Sequence, residues 1–227
     1  MSSQPSSAEA PVEFLAPPSP RVGVDRMLRI QGYPEPGNVR RAVRAAAERN
    51  ARRAEALFTP AVCYRRVAVT GLGDGVLSLR GQIQLHCAAF SQFLSEAGEI
   101  AVFVATAGAG IDEELARLNQ EQQLLDMVFL ESAAWLGLEA ITQSFVTHLR
   151  QRAGAQGLRL TRRMGPGYAY KVQGGKAQWP LEEQPALFAL FGDAALPVAL
   201  LESCAMVPKM SRSGLVGLVP SAGAEPD

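Results

Sequence analysis

One stretch decides how the rest of this chain can be arranged. From residue 124 to 152 runs a segment of helical periodicity in which Val128, Glu131, Trp135, Leu138, Thr142, Phe145 and Leu149 share one stripe. Met127, Phe129, Leu130, Leu136 and Ile141 add apolar surface elsewhere around it, so the pattern predicts a central, largely buried helix. Such a helix needs other elements on several sides. Residues 100–106 are continuously apolar and predict a buried strand, and residues 66–70 and 76–79 predict a hairpin about the glycine-rich turn 71–75. Further strands are expected at 158–161, 198–202 and 215–219. Helices are expected at 38–58, with Asn38 as N-cap and Pro60 beyond its end, at 82–96 with or without a short extended lead-in, and at 182–191, interrupted near Pro185. Strands and helices are interspersed without regular βαβ alternation, which makes α+β the expected fold class.

Composition narrows the function. The chain has 227 residues, 48% hydrophobic and 19% charged, enough for a real core. Twenty-two basic and twenty-two acidic residues cancel, so no global field favours nucleic acid or an acidic membrane. Residues 1–20 are rich in Pro, Ser and Ala and read as a disordered arm without a signal or membrane span, residues 21–220 as one domain, and 221–227 as a flexible tail. The cytoplasm is the expected compartment. Cys63, Cys87 and Cys204, with only His86 and His148 to join them, give neither a disulfide framework nor a zinc site. Arg40, Arg41, Arg44, Arg49, Arg52 and Arg53 crowd the 38–58 helix, either as a solvated face partly neutralised by Glu48 and Glu55 or as a docking face for an acidic protein.

A strand, a turn at Gly108 and Gly110 and a following helix invite a nucleotide-binding reading. The third glycine of the dinucleotide fingerprint is missing, and Asp112, Glu113 and Glu114 would repel a phosphate from the helix start, so a structural turn is expected.

Two C-terminal segments carry the rest. Arg163-Met164-Gly165-Pro166-Gly167-Tyr168 combines a guanidinium, a rigid proline between two glycines and a phenol, a loop suited to a small anionic ligand. Glu202-Ser203-Cys204-Ala205-Met206-Val207-Pro208, followed by Ser211-Arg212-Ser213-Gly214, reads by itself as a strand and polar turn with Met206 filling core space. Together they resemble the activation domain of cobalamin (vitamin B12)-dependent methionine synthase, with its Arg-x-x-Pro-Gly-Tyr loop and its Thr-Glu-Ser-x-x-Met-x-Pro-x-x-Ser-Val-Ser-Gly run. Leu201 and Arg212 stand where that run has Thr and Val. Residues 28–33, the Ala105-Thr106-Ala107-Gly108 turn and the segment from Trp179 to Gln184 are similar as well.

The resemblance implies a twisted antiparallel sheet with surrounding helices in one domain. It implies an S-adenosylmethionine site at the Arg163 loop: Arg163 on the ligand carboxylate, Met164, Gly165 and Gly167 against the nucleoside, Tyr168 at its edge, and Glu139 facing an ammonium or sulfonium. Read on its own, Glu139 faces solvent, pairs with a core arginine or faces a cationic ligand, and Arg163 could be that arginine. Glu202, Ser203, Met206, Pro208, Ser211, Ser213 and Gly214 are assigned as scaffold. Residues 169–178 lengthen the connection between Tyr168 and Trp179, so the loop rim is expected to differ from relatives.

No acid–base pair, nucleophile triad or metal cluster is visible, and no catalytic residue is assigned. Methyl transfer from a sulfonium to cob(I)alamin mainly requires alignment of the two centres. The resemblance therefore implies a component of methionine synthase (methyltransferase) reactivation in methionine biosynthesis. Because the Asp-x-His-x-x-Gly cobalamin signature is absent, it would work on cobalamin held by a methionine synthase lacking its own activation domain, with a flavodoxin-like reductant. The alternative is a non-catalytic cap or adaptor for a corrinoid methyltransferase.

Overall fold

A computed structural model describes residues 10–221. In chain order its elements are β1 (Glu13–Leu15), α1 (Val24–Ile30), α2 (Arg41–Leu57), β2 (Ala61–Gly73), β3 (Val76–Leu79), β4 (Gln84–His86), α3 (Phe90–Phe93), β5 (Glu99–Thr106), α4 (Gly110–Gln120), α5 (Leu124–Gly154), β6 (Leu158–Leu160), β7 (Ala169–Val172), β8 (Gly175–Gln178), α6 (Gln184–Ala189), β9 (Ala199–Leu200), β10 (Met206–Val207) and β11 (Ser211–Pro220). The main sheet runs β4-β3-β2-β5-β11-β6, with β1 on β2, and all its pairings are antiparallel. It is a single α+β domain.

Strand β5 lies at the middle, paired with β2 from Ala61 to Ala68 and with β11 from Ser211 to Leu218. Its alternate residues enter two cores. Ala101, Phe103 and Ala105 pack with α1, α2, α4 and α5, whereas Ile100, Val102 and Val104 pack with Phe90, Trp179 and Leu187 on the opposite face. Burial on both faces is why this strand is apolar from Ile100 to Ala105. Phe103 and Tyr64 meet Phe145 of α5 at ring separations of 5.0 and 5.3 Å, which seats the long helix on the sheet.

Several expectations are corrected. Within the expected disordered arm, Glu13–Leu15 is strand β1, whose Phe14 pairs in register with Cys63 of β2; residues 1–9 and 222–227 lie outside the described residues. Asn38 ends a short 3-10 turn instead of capping α2, which starts at Arg41 without a side-chain cap. The expected helix at 82–96 is strand β4 followed by the single turn α3, because Leu85 and Phe90 each point into the second core from a separate element. Pro185 lies in the first turn of α6 and does not interrupt it, since the missing N–H there is unneeded. The stripe on α5 is buried at Leu138, Thr142, Phe145 and Leu149 but exposed at Val128 and Trp135, where no element among the described residues covers it.

Candidate functional site

The Arg163 loop follows β6 and is held from two directions. Met164 exchanges backbone hydrogen bonds with Leu215 of β11 at 2.9 and 2.8 Å. This approach requires Gly214, where a Cβ would lie 2.3 Å from the Met164 carbonyl oxygen. On the other side, Gly167, at φ +85°, donates its N–H to the Trp179 carbonyl at 2.8 Å, and Trp179 N–H returns a bond to Tyr168 at 2.9 Å. Residues 169–178, between Tyr168 and Trp179, form the β7–β8 hairpin. Its Tyr170 hydroxyl accepts from Gly165 N–H at 2.7 Å and donates to the Gly165 carbonyl at 3.0 Å, so the hairpin braces the loop.

Between this loop, α5 and β11 lies a cavity of about 270 Å³ lined by Trp135, Glu139, Arg162, Arg163, Met164, Gly165, Tyr168, Tyr170, Arg212 and Ser213. The sequence reading brought Glu139, Arg163, Met164, Gly165 and Tyr168 to one place. Gly167 lines an adjoining hollow of about 220 Å³ that shares Tyr168, Arg212 and Ser213 with the first and includes Met206 and Ser211. Glu202 and Ser203 sit apart on an exposed turn between β9 and β10, and Pro208 is buried beside β11. The Met164 side chain belongs to the second core.

Glu139 pairs with two arginines. Arg163 Nη2 stands 3.4 Å from each carboxylate oxygen, and Arg212 Nη1 bonds Oε2 closely while also reaching Thr142 Oγ1 at 3.4 Å. Burial pushes the Glu139 carboxyl up, but Arg212 and then Arg163 outweigh it and hold the group below the usual carboxylate range. Arg212 was missed as a site residue. On β11 it is paired in register with Ala105, and its parity along the strand turns it to the helix face, under α5. The neighbouring Ser213 bonds Gln184 Oε1 on the opposite face, and Gln184 Nε2 donates to the Cys204 carbonyl at 2.6 Å, which ties the β9–β10 turn to the site. Arg162 lies 5.4 Å from the ring centres of both Phe93 and Tyr170.

Other candidates are accounted for structurally. Arg44 pairs with Asp25 at 3.2 Å, Arg49 with Asp126 at 2.9 Å and Arg53 with Glu114 at 3.1 Å, so much of the α2 charge is used inside the domain. Glu55 bonds Arg21 at 2.7 Å and also feels the charge of Arg52 on its own helix. In the turn at Gly108, Thr106 Oγ1 accepts from Gly108 N–H at 3.1 Å, and Asp112 accepts Lys209 N–H at 2.7 Å, a structural use of the acidic first turn of α4. A cavity of about 520 Å³ elsewhere is lined by Arg66 and Arg152, which are committed to Glu99 and Glu13. Among the described residues no group of three or more His, Cys, Asp or Glu could hold a metal, and no helix is long and apolar enough to cross a membrane.

No protein-family model and no curated protein sequence matches the chain. Among solved structures, the MetH reactivation domain bound to AdoHcy superposes with a TM-score of 0.64 over 96% of this chain and 81% of that one, at 15% sequence identity. At that identity the likeness speaks for the fold, and this chain has the fold of the MetH reactivation domain.

Proposed function

We propose that the chain is an S-adenosylmethionine-binding activation module that acts in trans, in the cytoplasm, on a cobalamin-dependent methionine synthase lacking such a domain. The observation that carries this reading is the unequal sharing of Glu139. Arg212 holds the carboxylate closely, while Arg163 sits 3.4 Å from both oxygens, beyond good hydrogen-bond length. Arg163 can therefore turn to a ligand carboxylate while Glu139 keeps a partner.

The other groups suit the remainder of such a ligand. Trp135 and Tyr168 are half-exposed at the rim and offer ring faces to a nucleoside, and the backbone at Gly165 and Gly167 is fixed before a ligand arrives. Each hollow is below the roughly 300 Å³ at which ligand pockets begin, so the ligand extends across both, past Tyr168 and Ser213. S-adenosylmethionine supplies a methyl group on a sulfonium, for transfer to reduced cobalamin on the partner. The electron comes from a separate reductant of flavodoxin type. The likeness in fold to a domain bound to AdoHcy supports this reading. A second reading, a non-catalytic cap or adaptor for a corrinoid methyltransferase, is favoured by one observation: Glu139 is already neutralised from two sides.

Calorimetric titration with S-adenosylmethionine decides between them. Loss of a charged hydrogen-bond pair in Arg163→Ala should weaken binding by about 1.5 to 3 kcal/mol, roughly tenfold to hundredfold. Absence of binding to the wild type would overturn the first reading in favour of the adaptor.

A further inference from the structure

The charges around the cavity are unequal. Among the described residues, Arg162, Arg163 and Arg212 line it with Glu139 as the one carboxylate, and Arg26 stands on the far side of Glu139 in the open groove along α5. Guanidinium groups stay protonated at any working pH, so the wall carries a net positive charge that Glu139 cannot cancel. Arg212, with a side chain only 9% exposed, bonds Glu139 closely and so cancels the carboxylate that would otherwise face a cation, which leaves the excess on Arg162 and Arg163. A wall of this kind attracts a carboxylate and repels any additional cation on the same ligand.

We propose that the site selects adenosyl amino acids by charge, binding the neutral thioether S-adenosylhomocysteine more tightly than the sulfonium S-adenosylmethionine, with Arg212 as the discriminating residue. This rests on the reading that the cavity holds an adenosyl amino acid. The two ligands share the α-carboxylate and α-ammonium and differ only at sulfur. Three carbon–carbon or carbon–sulfur bonds of about 1.5 to 1.8 Å separate that sulfur from the carbon bearing the carboxylate. A carboxylate clamped on Arg163 therefore brings the sulfur into the field of all three guanidiniums. At about 8 Å and an effective dielectric of about 20 to 80, one uncompensated charge costs the sulfonium roughly twofold to thirtyfold in affinity. The same bias favours the ligand form that remains once the methyl group has gone.

The test is calorimetric titration of the wild type, Arg212→Met and Arg162→Gln with both ligands, at low and high sodium chloride. The expected result is a wild-type preference of roughly tenfold for S-adenosylhomocysteine that shrinks in high salt and falls toward parity in Arg212→Met. Arg162→Gln leaves the Glu139 pair intact, should narrow the ratio by a smaller factor, and serves if Arg212→Met does not fold. Equal or tighter wild-type binding of S-adenosylmethionine overturns the charge selection while leaving the adenosyl site standing. A preference unchanged in both variants overturns the role of the arginines. Binding of neither ligand by the wild type overturns the adenosyl site and the selection together.

Discussion

Replacing Glu139 by Gln tests whether the arginine-sharing carboxylate holds the site together. The two arginines differ in what they lose. Arg163 is 31% exposed and rehydrates, whereas Arg212 is 9% exposed and retains only Thr142 Oγ1 at 3.4 Å. The cost therefore falls on Arg212. A hydrogen bond to a charged group contributes about 1.5 to 3 kcal/mol, and stranding a buried charge costs up to about 5 kcal/mol. The Gln carbonyl still accepts one neutral bond, which places the expected loss near 2 kcal/mol. In a domain of this size that lowers the melting temperature by about 4 to 8 °C. Acid reverses the comparison. Because the folded Glu139 carboxyl lies below its ordinary value of 4.5, its contribution is complete above that value and disappears as pH falls through the lower folded one. Gln does not titrate, so thermal melts of the two proteins should differ fully at pH 7 and converge in acid. A variant as stable as the wild type at pH 7 would show that desolvation of the cluster cancels its attraction, and a gap that persists in acid would place the effect elsewhere.

Gly214→Ala should break the contact that seats the loop. The added Cβ would lie 2.3 Å from the Met164 carbonyl oxygen and 3.2 Å from the Phe103 ring, and overpacking of this severity costs about 3 kcal/mol or more, readable as a lower urea midpoint. The thiols offer an independent check of the second core. Burial raises the Cys63 thiol to about 11 and shifts Cys87 in the same direction, and both side chains are inaccessible, so an aromatic disulfide reagent at neutral pH should titrate Cys204 alone in the folded protein and all three cysteines in guanidinium. Rapid reaction of a second thiol in the native state would contradict the burial of Cys63 and Cys87 in that core.

The parts of the fold that were legible are those in which one physical demand dominates. Strand β5 is buried on both faces, so its unbroken apolar run has a single explanation. Residues 82–96 show the opposite case. Leu85, Ala88, Ala89, Phe93 and Leu94 recur at helical spacing, yet Leu85 is buried from β4 and Phe90 from α3, because a bend lets two short elements fill one core. A run of apolar residues reports burial, and at this length it does not report backbone shape. On α5 the stripe failed at Val128 and Trp135 for a related reason: the helix outruns the elements packed on it, and helical periodicity alone does not tell a covered residue from one at a cavity rim.

Arg212 shows how the site itself could have been read more fully. Glu139, within Trp135-Leu136-Gly137-Leu138-Glu139, leaves three partners open on sequence alone, solvent, a core arginine or a cationic ligand, and Arg163 is the arginine whose loop is conspicuous. A carboxylate has two oxygens and can satisfy two guanidiniums, so one identified partner does not exhaust it. Strand parity held the second. From Arg212, alternate residues run Gly214, Val216 and Leu218, and Val216 and Leu218 lie in the helix-side core. An arginine at the head of that row points where a charge is costly unless it is paired, and Glu139 was the one interior acid already marked on the helix. The inward parity of Arg212 and the two oxygens of Glu139 together place both arginines on that one carboxylate, and two guanidiniums on one acid leave a positive excess at the cavity.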